Sequence, residues 1–159
     1  LYAIPKTKRL RPQNLYYSLV SQAPESLSML QRLPHFDSHD RHFFALMHYL
    51  APKPHGGTGF FRHRPTGFEN IDWDRRQPYI HAAQAHIDQQ GQPSADYIRG
   101  SNHHYELMDQ IEYRPNRFII YPGTLLHSGL IENPQDIDSD PATGRLTANL
   151  FIAFSDSTD

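Results

Sequence analysis

Short apolar runs cut off by proline or glycine are what most constrain this chain. Phe43 to Leu50 is aromatic and aliphatic and is followed by Pro52 and Pro54, while Phe118-Ile119-Ile120-Tyr121 is turned by Pro122-Gly123. Arg145 to Phe154 reads as a long final strand, and Tyr105 to Tyr113 as a weaker one before the turn Arg114-Pro115-Asn116. Runs of this length bounded by turn residues are strand signals. Gly56-Gly57-Thr58-Gly59 is a turn leading into Phe60 and Phe61. Helical spacing is confined to the middle, where Tyr79, Ala82, Ala83, His86 and Ile87 recur within Asp74 to Gly100 and Ala95 to Arg99 adds a further turn. Residues 24 to 31, with Pro24 near the first turn, read as a short helix, and residues 1 to 14, with two prolines and four cations, as an extended leader that wraps the domain. The expectation is a mainly β chain with a helical insertion.

At 159 residues the chain is expected to form one domain. Leu1 rather than methionine stands first, which leaves room for a longer native N-terminus. No apolar run approaches the roughly 20 residues of a transmembrane helix, and the mean hydropathy is -0.66; the expected setting is a bacterial-type cytoplasm. A net charge of -2 gives no general pull toward nucleic acid. The absence of cysteine excludes disulfides, thiolate catalysis and Cys-type zinc sites, so any metal must be held by histidine and carboxylate.

Among eleven histidines, spacing matters more than number. His35-Phe36-Asp37 follows Leu33-Pro34, and proline biases its preceding neighbour toward extended geometry. Residues two apart on a strand point to the same side, so His35 and Asp37 can present both heads to one ion; otherwise they are a polar strand-end turn. Ferrous iron in oxygenases takes two imidazoles and one carboxylate on one octahedral face. His35, Asp37 and His127 supply that set, the last from a distant strand. His86-Ile87-Asp88 is an internal control: within the expected helix, residues two apart diverge by roughly 200° and are poorly placed to share an ion. Phe61-Arg62-His63-Arg64 reads as a solvated hairpin or as cations at a pocket mouth. His39, His42, His103 and His104 read as surface groups or supports behind a site, Asp72-Trp73-Asp74 as a helix cap, and Trp73 as packing.

Taken in order, His35-Phe36-Asp37, Tyr49-Leu50 before Gly56-Gly57-Thr58, Pro122-Gly123 leading to His127, and Arg145-Leu146-Thr147 resemble the landmarks of prolyl-hydroxylase-like Fe(II)/2-oxoglutarate-dependent oxygenases. The likeness covers residues 33 to 154 and is nearest a bacterial branch whose membership specifies no substrate. It implies a double-stranded β-helix, a cupin-like jelly roll, with iron on His35, Asp37 and His127. It also implies that Arg145, with Thr147 and Tyr49, holds the distal carboxylate of the 2-oxoglutarate cosubstrate. Guanidinium suits that role, being permanently charged and able to pair bidentately with carboxylate. The implied reaction consumes O2, releases succinate and CO2 and hydroxylates an amino acid, peptide or small metabolite. Halogenation is disfavoured, because Asp37 occupies the position such enzymes leave to halide. The helical insertion and residues 131 to 144, longer and more acidic than in many relatives of that kind, are where substrate contacts are expected. A cupin-type metal enzyme without 2-oxoglutarate and a non-catalytic binding domain are the rival readings. Substrate and oligomeric state are not legible.

Overall fold

The computed structural model describes residues 4–156. Among the described residues the chain is mainly β, with two antiparallel sheets and one α-helix. In order the elements are β1 (Lys8–Leu19), β2 (Phe43–Tyr49), β3 (Thr58–His63), α1 (Trp73–Gln90), β4 (Tyr105–Ile111), β5 (Phe118–Pro122), β6 (His127–Gly129) and β7 (Leu146–Asp156). The larger sheet runs β1-β7-β2-β5 and the smaller β4-β3-β6.

Period-two patterning explains the layering. Along β5, Ile119 and Tyr121 are buried while Phe118 and Ile120 are exposed. The inward residues Ala45, Tyr49, Ile119, Tyr121 and Phe151 of the larger sheet share one cluster with Phe60 and Ile111 of the smaller. On the opposite side of β3, Phe61 joins Tyr105 and Tyr79 of α1 in a second cluster. Consecutive phenylalanines thus serve opposite faces of one strand, and the order of layers is large sheet, small sheet, helix. Tyr79 and Tyr105 also share a hydroxyl hydrogen bond of 2.8 Å.

Several expectations need correcting. The leader expected at residues 1 to 14 is extended, but from Lys8 onward it belongs to a regular strand, β1, paired with β7 from Lys8↔Asp156 to Leu19↔Leu146. The strand is exposed along most of its length, so no alternation marks it; its backbone pairing, interrupted by a register shift between Pro12 and Leu15, holds it in place. Residues 1 to 3 of that leader lie outside the described residues. The short helix expected at 24 to 31 is two 3-10 turns, Pro24–Ser26 and Met29–Arg32. The helical insertion ends at Gly91, which takes a φ of 87° that glycine tolerates best, and Ala95 to Arg99 adds no helical turn. Asp72 is the N-cap and accepts a hydrogen bond from the Arg75 backbone. Trp73 is 69% exposed and so is not a packing residue; its ring lies 4.8 Å from that of His39. No helix among the described residues is long and apolar enough to cross a membrane.

Candidate metal centre

His35 follows Pro34 in extended backbone and forms an isolated antiparallel bridge with His127, the first residue of β6. The Asp37 backbone then donates to the Gly123 carbonyl at 2.7 Å, which fixes the segment at both ends. The two imidazole centroids come within 4.4 Å. His35 Nε2 lies 3.7 Å from Asp37 Oδ1 and His127 Nε2 lies 3.6 Å from Asp37 Oδ2, and one ligand atom from each residue falls within 4.8 Å of the others. The sequence spacing therefore converges in space, whereas His86 sits on α1 with its Nε2 at 3.1 Å from the His103 carbonyl.

The electrostatics suit a cation. The His127 Nδ1 lies 2.9 Å from the Leu125 carbonyl. A carbonyl can only accept, so Nδ1 carries the proton and the Nε2 lone pair faces the cluster. Burial pushes the His127 pKa down to about 4 against that hydrogen bond, keeping it neutral, as a metal ligand must be. Burial also lowers His35, with His127 adding and Asp37 opposing, although 58% of the His35 side chain is open. Asp37 is raised to about 6 by burial, with His35 opposing. Its Oδ2 is buried with no hydrogen-bond partner among the described residues. A buried carboxylate oxygen left without a partner is costly, and a divalent ion between the three heads would relieve it. The donor set therefore fits a metal of the iron, zinc or manganese kind.

A cavity of about 150 Å³, roughly five water volumes, opens on all three residues. Thr147, Asn149 and Phe151 line it in the alternation expected along one face of β7, and Arg145, just before the strand, lines it as well. Arg145 is only 5% exposed, so it is not a solvated strand end. Its Nε and Nη2 donate to the carbonyls of Gly56 and Gly57 at 2.7 and 2.9 Å, while Nη1 makes no hydrogen bond among the described residues. Tyr49 does not line the cavity. It is fully buried, bonds Thr58 Oγ1 at 2.7 Å, stacks on Tyr113 with centroids 4.3 Å apart, and stands 5.9 Å behind the guanidinium.

The sequence model of a family of unknown function, DUF6445, matches residues 1–152. The chain belongs to the DUF6445 family. No curated protein and no solved structure matches this DUF6445 chain.

Sequence reasoning missed several groups around the cavity. Asn149 continues the Arg145, Thr147 alternation and could have been found by it; Tyr121, whose ring lies 4.7 Å from that of His127, was visible only as a strand residue. Asp136 carried no signal within the acidic stretch. It is 2% exposed, its Oδ1 lies 2.9 Å from His55 Nδ1, and its Oδ2 accepts from the backbones of Gly56 and Asn133 at 3.2 and 3.3 Å. It thus anchors the loop whose carbonyls hold Arg145. Arg62 pairs with Glu69 and Glu106 on a part-exposed surface and Arg64 is exposed, as a solvated hairpin requires, whereas His63 and His104 are buried, 1% and 6% exposed, and none of these residues lines the metal cavity.

Proposed function

We propose that this DUF6445 chain is a non-haem Fe(II)- and 2-oxoglutarate-dependent oxygenase that hydroxylates an amino acid, peptide or small metabolite. The observation that carries this reading is the convergence of His35, Asp37 and His127 on a cavity shared with a buried arginine. Two imidazoles and a carboxylate are the donor set of such iron sites. When bound, ferrous iron and 2-oxoglutarate supply the oxidation of a substrate C–H bond by O2. The chain's own groups hold and orient: His127 stays neutral through its Leu125 contact, Asp37 provides the anionic ligand, and Arg145 offers Nη1 to a carboxylate. Thr147 stands beside it with a hydroxyl at 3.1 Å from Asn149 Nδ2.

The strand order supports the double-stranded β-helix that this reading requires. Including the His35 bridge to β6, successive extended segments alternate between the sheets except at the β3-β4 hairpin, as in an eight-stranded jelly roll. One observation favours a cupin-type metal enzyme instead: the two glycine carbonyls already occupy part of the Arg145 fork. The test is succinate formation from 2-oxoglutarate by the Fe(II)-loaded protein under O2. Succinate from wild type and none from His127→Ala supports the oxygenase; none from either, with iron bound, favours the cupin reading.

A further inference from the structure

A second cavity, about 570 Å³, meets the metal cavity at Ser18, His35, Gly129 and Arg145, which line both. It falls within the size range of small-molecule sites. Neither the helical insertion's α1 nor most of residues 131 to 144 builds it. Its walls come from the end of β1, the 3-10 turns that follow, Tyr97 and Ile131.

Its lining is divided between an aliphatic wall and neutral polar groups. Leu27, Leu30 and Leu33, spaced three apart as the 3-10 turn repeats, line it together with Leu19, Val20 and Ile131. Leu27 and Leu33 are buried, whereas Leu30 is 73% exposed. Among the described residues no carboxylate lines the groove, and its only ionisable groups besides Tyr97 are His35 and Arg145, where it joins the metal cavity. The neutral polar groups are mostly satisfied within the chain. Gln31 Nε2 donates to Gln22 Oε1 at 2.9 Å, Gln22 Nε2 to the Ser26 carbonyl at 2.6 Å, and the Tyr97 hydroxyl to the Gln22 carbonyl at 2.8 Å. Ser18 Oγ accepts from Asn149 at 3.1 Å. A charged ligand group placed among the leucines, away from Arg145, would lose its hydration with little in return, whereas each buried methylene gains.

We propose that this groove takes an uncharged aliphatic chain of the substrate, which reaches His35. The inference rests on the oxygenase reading for its link to the metal. The probe is the homologous series butanamide, hexanamide and octanamide, with octylammonium as the charged counterpart, titrated into the full chain by ligand-observed NMR. Affinity is expected to rise about fourfold per added methylene, and octanamide is expected to outbind octylammonium at least about tenfold. Leu30→Glu, at an exposed position, should cut octanamide binding at least about tenfold while Leu30→Met retains it. Mn(II) loading should then broaden the signals of bound octanamide. No rise with chain length, equal or tighter binding of octylammonium, or an unchanged Leu30→Glu would overturn the proposal. Octanamide binding that survives in a protein unable to bind Mn(II) would refute the metal reading and leave the neutral-chain site standing, whereas Mn(II) binding without broadening would overturn the link between groove and metal.

Discussion

His35 and His127 each donate a backbone N–H to the other's carbonyl, at 2.9 and 2.8 Å, although 92 positions of sequence (127 less 35) separate them. Directly opposed residues of an antiparallel pair put their side chains on the same face. That bridge is why two imidazoles, with Asp37 two residues on, meet at one point. Asp37→Ala and His127→Ala are each expected to lose Fe(II) affinity by more than the 10- to 100-fold typical of losing only an outer partner, while His86→Ala keeps wild-type iron. Metal analysis of the purified variants checks this; iron retained by Asp37→Ala and lost by His86→Ala would misassign the site.

On the proposed oxygenase reading, Arg145 should separate cosubstrate binding from metal binding. Arg145→Ala should leave iron bound and weaken 2-oxoglutarate by about 2 to 5 kcal/mol, roughly 30-fold to several thousand-fold. Arg145→Lys should recover only part, since an ammonium cannot both keep the Gly56 and Gly57 carbonyls and present a planar fork. Anaerobic titration of the Fe(II) proteins decides it, and equal affinity in all three would remove Arg145 from the site.

Asp136 should act on that affinity through the loop. Asp136→Ala strips the Gly56 and Asn133 amides and His55 of their buried acceptor, at a cost of about 1–3 kcal/mol in stability. Urea denaturation should show that loss. Where the variant remains folded, 2-oxoglutarate should bind more weakly with iron affinity unchanged, and Asp136→Asn should restore part of both. Gly56→Ala should behave like Asp136→Ala, because a Cβ there would overlap the Leu130 carbonyl. Unaltered 2-oxoglutarate affinity in a destabilised Asp136→Ala would confine the residue to a structural role.

What was readable in the sequence follows how the signal is carried. β2, β5 and β7 bury one face, so their apolar residues mark them. β1 is an exposed edge held by backbone pairing with β7, and such pairing leaves no trace in residue type. The triad was legible because a metal demands particular side chains at particular spacings. Asp136 and the Gly56 carbonyl were not, since their role depends on a loop docking 80 residues away. Tyr49 had the placement of a ligand-contacting tyrosine, but Thr58 and Tyr113 claim its hydroxyl and its ring face.

His63 should tie stability to pH. Burial, then the charges of His86 and His104, push its pKa from 6.5 to about 4. The unfolded chain therefore protonates first, so His63's contribution is fully present above about pH 6.5, falls as pH drops toward 4 and levels off below. Its total is at most about 3 kcal/mol. Urea unfolding of wild type and His63→Gln at pH 7 and 4.5, both metal-free, should give a smaller pH loss in the variant, because His35 and His127 contribute to both proteins alike. The same loss in both would contradict the assignment.

The most direct test of the oxygenase account is anaerobic addition of 2-oxoglutarate to the Fe(II)-loaded wild-type chain, followed by visible absorption. Chelation of iron held by His35, Asp37 and His127 is expected to produce a metal-to-ligand charge-transfer band that saturates with 2-oxoglutarate and is absent from Asp37→Ala. Iron bound in the wild type with no such band at saturating 2-oxoglutarate would contradict it.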